Sequence, residues 1–248
     1  MSKSLERGLQ SLLLLASRKS VGVTELAEEL EVNKSTAYRI LETLRTFNMA
    51  EQDKSTLKYK LGPTVLKFSE QLYKNLSIIS IARPYMQEIS DTEGESVHLC
   101  ILSNDSAVVI EQIMTSSRLI VNAKVGNKEP LHSSSVGKCL LAFSPPQTVE
   151  QILQAPLEKF TDKTITSKEK LLEELEKIRQ QGYAIDDGEI TEEIRCIAVP
   201  IFNHRREANY SLGVSGPSGR MKAYKLKTIA SALMRAGNAI SAQLGYVN

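Results

Sequence analysis

The sequence contains no tryptophan, only 5% aromatic residues and three cysteines, which are far apart and lack C-x-x-C spacing. An odd, scattered set of thiols argues against a disulfide framework or a zinc ribbon and fits a reducing cytoplasm. No apolar run approaches the roughly 20 residues needed to span a membrane. The run from Leu12 to Ala16 is too short for a secretory signal and falls inside an amphipathic pattern. Net charge is only +2, so the chain as a whole does not announce a nucleic-acid partner. Low-complexity stretches are also missing. What remains is a globular composition, 42% hydrophobic and 24% charged, sufficient for a sizeable core. At 248 residues, two domains fit better than one, because the first quarter and the rest differ in pattern.

The charge is unevenly spread. Residues 1 to 75 hold 12 Lys/Arg against 9 Asp/Glu, and the remainder holds 19 against 20. Four acids, Glu25, Glu28, Glu29 and Glu31, cluster before a segment carrying Lys34, Arg39, Arg45, Lys54, Lys58 and Lys60. A local basic face of this kind suits a DNA-reading module on a neutral body.

The periodicity predicts a first helix over Leu5 to Ser17, with Leu5, Leu9, Leu12, Leu13 and Ala16 on its apolar side. A second helix starts after Gly22, capped by Thr24, and turns Leu26, Ala27 and Leu30 inward. Asn33 caps a third, Lys34 to about Thr46, with Ala37, Ile40, Leu41 and Leu44 as the buried stripe. Strands at Ala50 to Gln52 and Leu57 to Leu61 flank a polar turn, and Leu57, Tyr59 and Leu61 alternate with the lysines.

Any one such helix is an ordinary solvated surface helix. The ordered set is the outline of a winged helix-turn-helix, with double-stranded DNA as its partner. Lys34, Ser35, Thr36, Tyr38, Arg39 and Arg45 on the third helix, with Lys58 and Lys60 on the wing, are the candidate DNA contacts. Hydroxyls reach phosphates, and arginine bridges phosphate or guanine.

Gly62-Pro63 ends the hairpin and starts a linker helix over residues 63–76, with Val65, Leu66, Phe68 and Leu72 as its apolar positions. A lone winged helix makes few specific contacts, so a homodimer, or a dimer of dimers, is expected. Residues 77–248 mix helices and hairpins. Expected helices are Pro84 to Thr92, Leu131 to Ala142 entered through a serine run, Ser167 to Gln181 and Tyr224 to Leu244. Expected strands are Val97 to Leu102, Ala107 to Ile113, Leu119 to Val125, Tyr183 to Ile185, Ile197 to Ile201 and Tyr210 to Val214. The class is α+β, with the winged helix-turn-helix at residues 1–62 and a sensor-like domain after the linker.

Three segments stand out: LHSSSVGKCLLAF (Leu131 to Phe143), GYAIDDGEITEEIRCIAVPIFN (Gly182 to Asn203) and VSGPSGRM (Val214 to Met221). With the winged helix, and with Ser35, Thr36 and Arg39 in an S-T-x-x-R pattern, the chain resembles the IclR family of bacterial transcription factors over nearly its whole length. The resemblance implies a GAF-like effector-binding domain, dimers or tetramers, and a small organic acid as effector. Carried over by motif, it implies Ser135 and Val136 as backbone donors, and Asp186, Cys196 and Ser215 as side-chain contacts. Exposed amides at a helix N-terminus independently suit a carboxylate. Asp186 beside an anion points to a protonated carboxyl or a ligand hydroxyl, and so to a hydroxy- or keto-acid. The chain departs from the family pattern at Val136, Gly188 and Gly213. Control of a carbon-source catabolic operon is a family tendency, with repression the expected mode.

An enzyme is the rival class, with Cys139, Cys196, His98 and His132 as nucleophile and base, or Asp186 and Asp187 as paired carboxylates. Cys139 lies on an apolar stretch and reads as core, and adjacent strand residues face opposite ways. No cofactor is expected, and His98, His132 and the cysteines lack metal-ligand spacing. A DNA-binding protein without an effector is the third class.

Overall fold

A computed structural model of the chain describes residues 2–75, 77–115 and 124–247. It divides into two compact units, Met1–Leu76 and Ser77–Asn248, each considered by itself.

The first unit runs α1 (Lys3–Ser17), α2 (Val23–Glu29), α3 (Lys34–Thr46), β1 (Ala50–Gln52), β2 (Tyr59–Leu61) and α4 (Thr64–Asn75). Asn33 caps α3 as expected, its side chain accepting from the Thr36 amide at 2.8 Å. The cap of α2 is Gly22, not Thr24, and the Glu25 carboxylate accepts the Gly22 N–H at 2.8 Å. β1 and β2 pair antiparallel, Ala50 opposite Leu61 and Gln52 opposite Tyr59. Leu15, Val21, Leu26, Ala27, Ala37, Leu41, Ala50 and Tyr59 close one core over the three helices and the wing.

Two expectations change here. The apolar side read for α1 is largely exposed: Leu5, Leu9 and Leu13 are 64%, 53% and 71% exposed, and Ser11 and Leu15 are the buried residues. Four consecutive leucines, Leu12 to Leu15, point in different directions around this helix, so periodicity alone does not select the inner face. Leu57 does not alternate inward with Tyr59. It precedes β2 with a left-handed φ of 58° and is exposed. A non-glycine residue there costs about 1–2 kcal/mol.

The second unit contains α5 (Ser77–Glu93), β3 (Ser96–Ser103), β4 (Ser106–Ile113), β5 (Lys128–Pro130), α6 (Ser135–Ala142) and α7 (Pro146–Gln154). It continues through α8 (Lys168–Gln181), β6 (Ala184–Asp187), β7 (Ile194–Ile201), β8 (Tyr210–Pro217) and α9 (Ala223–Gln243). Among the described residues, six antiparallel strands form one sheet in the order β5-β4-β3-β8-β7-β6. Helices α5 and α9 pack on one face, where Gly237 of α9 lies against Val199. Helix α6, backed by α7 and α8, covers the other, where its Val136 meets Gly213. Neighbours along a strand serve opposite faces, as the period of two requires.

Most of the expected strand at 119–125 lies outside the described residues, and Lys124 and Val125 are not in a strand. Strand β5 and helix α7 were not foreseen. Helix α5 starts before Pro84 and runs through it, because Ile78, Ala82, Met86 and Ile89 form a buried stripe that continues across the exposed proline. No described helix is long and apolar enough to cross a membrane.

Candidate DNA interface and effector pocket

On α3, Lys34, Ser35, Tyr38, Arg39 and Arg45 are exposed and Thr36 is half-buried. The Ser35 hydroxyl donates to Asn33 Oδ1 at 2.8 Å, so the first turn is pre-ordered. The basic residues divide into two groups. Arg45 is forked onto Glu42, with Nη2 at 2.6 Å, and the same carboxylate accepts the Tyr59 hydroxyl at 2.8 Å. That arrangement holds α3 to the wing. Lys58 pairs with Glu25 at 2.7 Å and Lys60 with Glu51 at 3.4 Å. Exposed pairs of this kind contribute about 0–1 kcal/mol, so a phosphate displaces them readily.

Among the described residues, Arg39 and Arg7 have no acidic partner. Both line a groove of about 310 Å³ between α1 and α3, with Ser4, Gly8, Thr36 and Thr43. Two unpaired guanidiniums beside hydroxyls suit a phosphate. Arg7 was missed by sequence reasoning because it lies outside the helix-turn-helix.

In the second unit, cross-strand register gathers residues that are remote in sequence. Asp186 stands opposite Cys196, Cys196 opposite Ser215, and Ser215 opposite Ser96, so the four form one row across β6, β7, β8 and β3. Ser134 caps α6, its hydroxyl accepting from the Gly137 amide at 2.9 Å. This points the first turn of α6 at the row. A Cβ on Gly137 would lie 2.1 Å from the Pro130 carbonyl oxygen, so only glycine admits this approach. A cavity of about 160 Å³ results, lined by all five expected residues, Ser135, Val136, Asp186, Cys196 and Ser215.

His98, Glu129 and Thr191 also line the cavity. Glu129 and Thr191 carry no motif to mark them, and in the sequence His98 reads only as a candidate catalytic base or metal ligand. Gly213 makes room for the imidazole: a Cβ there would sit 2.7 Å from His98 Nε2 and 2.9 Å from Val136 Cγ1. The departure from the family pattern at Gly213 is therefore the space that His98 fills.

Burial dominates the electrostatics. It lifts the Asp186 carboxyl to about 7, against the opposing backbone hydrogen bond from the Glu189 amide, 2.6 Å from Oδ1. Burial also raises the Glu129 carboxyl and lowers His98 to about 4, so the ring is neutral. Among the described residues, no lysine or arginine lines the cavity. Its anion-binding capacity comes from the N-terminus of α6, where the first amides have no intrahelical acceptor. The Ser135 hydroxyl and His98 Nδ1 are buried without a partner among the described residues.

Lys138 is fully buried on α6, donates to the Ile185 carbonyl at 2.7 Å and forms a close ion pair with Glu189. Glu189 follows Asp186 by three residues, so this pair anchors the segment carrying Asp186 to α6. Arg220 forks onto buried Glu95 at 2.7 and 2.9 Å, a structural clamp beyond the row.

Of the rival catalytic set, only His98, Cys196 and Asp186 reach the cavity. His132 Nε2 bonds the Glu158 carbonyl at 2.8 Å and the ring stacks on Phe160, away from the cavity. Cys139 is core, its thiol pushed up to about 12 by burial. Cys196 reaches the cavity, but burial raises its thiol as well, and the Ser215 hydroxyl donates to Sγ at 3.0 Å. Asp187 faces away from Asp186 and pairs with Arg195.

The Asp186 carboxyl makes a testable contribution to stability. Its value is 3.8 in a free chain and about 7 in the fold, so protons bind the folded state more tightly between those limits. Stability from this group is complete below about pH 4 and falls as pH rises to 7, by roughly 4 kcal/mol. Asp186→Asn mimics the protonated form and keeps an acceptor for the Glu189 amide. It should melt at least about 5 °C above wild type at pH 8, with the gap closing towards pH 4. A difference that does not vary with pH in thermal melts would contradict the assignment.

Known proteins match both units. Residues 4–54 match the IclR helix-turn-helix domain, and residues 70–242 match the C-terminal domain of IclR bacterial transcriptional regulators. The HTH-type transcriptional regulator KdgR of Escherichia coli (strain K12) is 35% identical over 233 residues, covering 94% of this chain and 89% of the relative. The crystal structure of Thermotoga maritima IclR aligns with a TM-score of 0.82 at 28% identity, covering 99% of this chain and all of that one (100%). An IclR homolog from Microbacterium hydrocarbonoxydans, solved in complex with 4-hydroxybenzoate, has the same fold, with a TM-score of 0.86 at 23% identity and coverage of 98% and 99%.

Proposed function

The chain belongs to the IclR family of DNA-binding transcriptional regulators with an effector-binding C-terminal domain, and from that premise we propose that it is a repressor controlled by a small hydroxy- or keto-acid. In this reading the acid's carboxylate takes the free amides of Ser135 and Val136, and its hydroxyl or carbonyl meets Asp186, Ser215 and the Cys196 thiol. The observation that carries it is the cavity at the N-terminus of α6, which offers amides to an anion and places opposite them the Asp186 carboxyl, whose proton affinity burial raises. The complex of the Microbacterium homolog with 4-hydroxybenzoate supports an organic acid as the ligand type. The regulated operon is assigned to carbon-source catabolism.

Operator contacts are assigned to Lys34, Ser35, Thr36, Tyr38, Arg39, Arg45, Lys58 and Lys60, with Arg7 added from the groove beside α3. Residues 1–62 are the reading domain, 63–76 the linker and 77–248 the sensor. The test is thermal melting with a panel of short hydroxy- and keto-acids, followed by gel shifts with the acids that stabilise. Failure of every acid to raise the melting temperature would favour a regulator without an effector.

Leu5, Leu9 and Leu13 on α1, and Leu66 and Phe68 on α4, 70% and 62% exposed, leave large apolar side chains facing solvent on two helices of this unit. They support a homodimer formed by the reading domains. Wild-type protein at micromolar concentration should sediment as a dimer or larger, and the double variant Leu9→Glu/Leu13→Glu should weaken self-association at least about tenfold. Sedimentation of wild type as a monomer would remove the homodimer from the reading.

A further inference from the structure

Leu57 is 64% exposed at the end of the wing turn, with a backbone φ of 58°. That conformation suits glycine or asparagine, and a leucine there gains little from burial in the free protein. The turn that imposes it is rigid. Asp53 Oδ1 accepts the amides of Ser55 and Thr56 at 2.9 and 2.8 Å and their hydroxyls at 2.6 and 3.1 Å. The Leu57 amide donates to the Asp53 carbonyl at 2.9 Å, and the Gln52 side chain donates to the Leu57 carbonyl at 3.0 Å. Lys54, Lys58 and Lys60 surround this point in sequence. The wing thus holds one apolar side chain out to solvent on a stiff loop rich in cations, in the same compact unit as α3.

We propose that Leu57 is a DNA-contacting residue that enters the minor groove beside the major-groove site read by α3. Its side chain packs against sugars and wedges at a base step, while the wing lysines neutralise the flanking phosphates. An apolar wedge favours steps that unstack easily, so it adds sequence preference through DNA deformability. Strain held in the free protein is then offset by burial in the complex. The inference rests on α3 being the major-groove reader, and the experiment separates the two.

Full-length wild type, Leu57→Asn, Leu57→Met and Arg39→Ala are compared on a duplex that the wild type selects from a random library. Leu57→Asn should raise the melting temperature and weaken binding about tenfold or more, the equivalent of losing one buried leucine. The salt slope of the affinity should be unchanged, because no phosphate contact is lost. Leu57→Met should bind within about threefold of wild type, since its volume and polarity are conserved. Unchanged affinity of Leu57→Asn alongside weakened Arg39→Ala overturns the wedge and leaves α3 as reader. Unchanged affinity of both overturns the wedge and the reading of α3 together. A fall in both melting temperature and affinity of Leu57→Asn marks a structural residue and also overturns it.

Discussion

Arg39→Ala weakens binding to a selected operator duplex by about 10- to 100-fold per half-site, with the melting temperature nearly unchanged. The separation of the two readouts follows from the surroundings of the side chain. Arg39 is exposed, pairs with no acid among the described residues, and lines the groove that Arg7 shares. Removing it costs the free protein little and costs the complex one fork of donors. Arg45→Ala should behave differently, because Arg45 is bonded to Glu42, which also accepts from Tyr59. If Arg39 bonds a guanine, the loss falls at one base position. A phosphate contact instead weakens all sequences alike and lowers the salt slope by about one. Unchanged affinity in gel shifts would remove Arg39 from the reading set.

Asp186→Ala abolishes the response to an effector acid while binding to operator DNA without the acid persists. The expected loss of affinity for the acid is about tenfold to a hundredfold, from removing a buried hydrogen-bonding partner. Asp186 is a wall of the cavity and also fixes the Glu189 amide, so alanine removes both the ligand contact and the anchor of its own segment. Asp186→Asn separates these roles, since it keeps an acceptor for Glu189 and changes the group offered to the ligand. The readouts are the acid-induced rise in melting temperature and acid-induced release in gel shifts. A normal response in Asp186→Ala would place the effector elsewhere.

The local features were legible because their causes are local. Asn33 before α3, the antiparallel wing strands and the serine run before α6 follow from caps and alternation within a few residues. Misreadings arose where the deciding contact was distant. The quadruple leucine of α1 allowed several inner faces, and packing against Val21, Leu26 and Tyr59 chose the one with Leu15. Leu57 fitted the alternation of β2, but the hydrogen bonds of Asp53 extended the turn through it. The period of α5 crosses Pro84, although proline by itself signals a boundary.

The binding site shows the same division. Chain pattern alone was enough to outline a winged helix-turn-helix and an α+β domain behind it, and motif resemblance selected five residues that line the cavity. Only the folded sheet brings Asp186, Cys196, Ser215 and Ser96 into a single row, and only packing seats His98 over Gly213. The protonation of Asp186 near neutral pH is likewise a tertiary property, because it comes from the water excluded around it. Helix periods, caps and turns depend on neighbours a few residues apart and are written along the chain. Strand register and burial depend on which distant segments share one core, and the packed fold decides them.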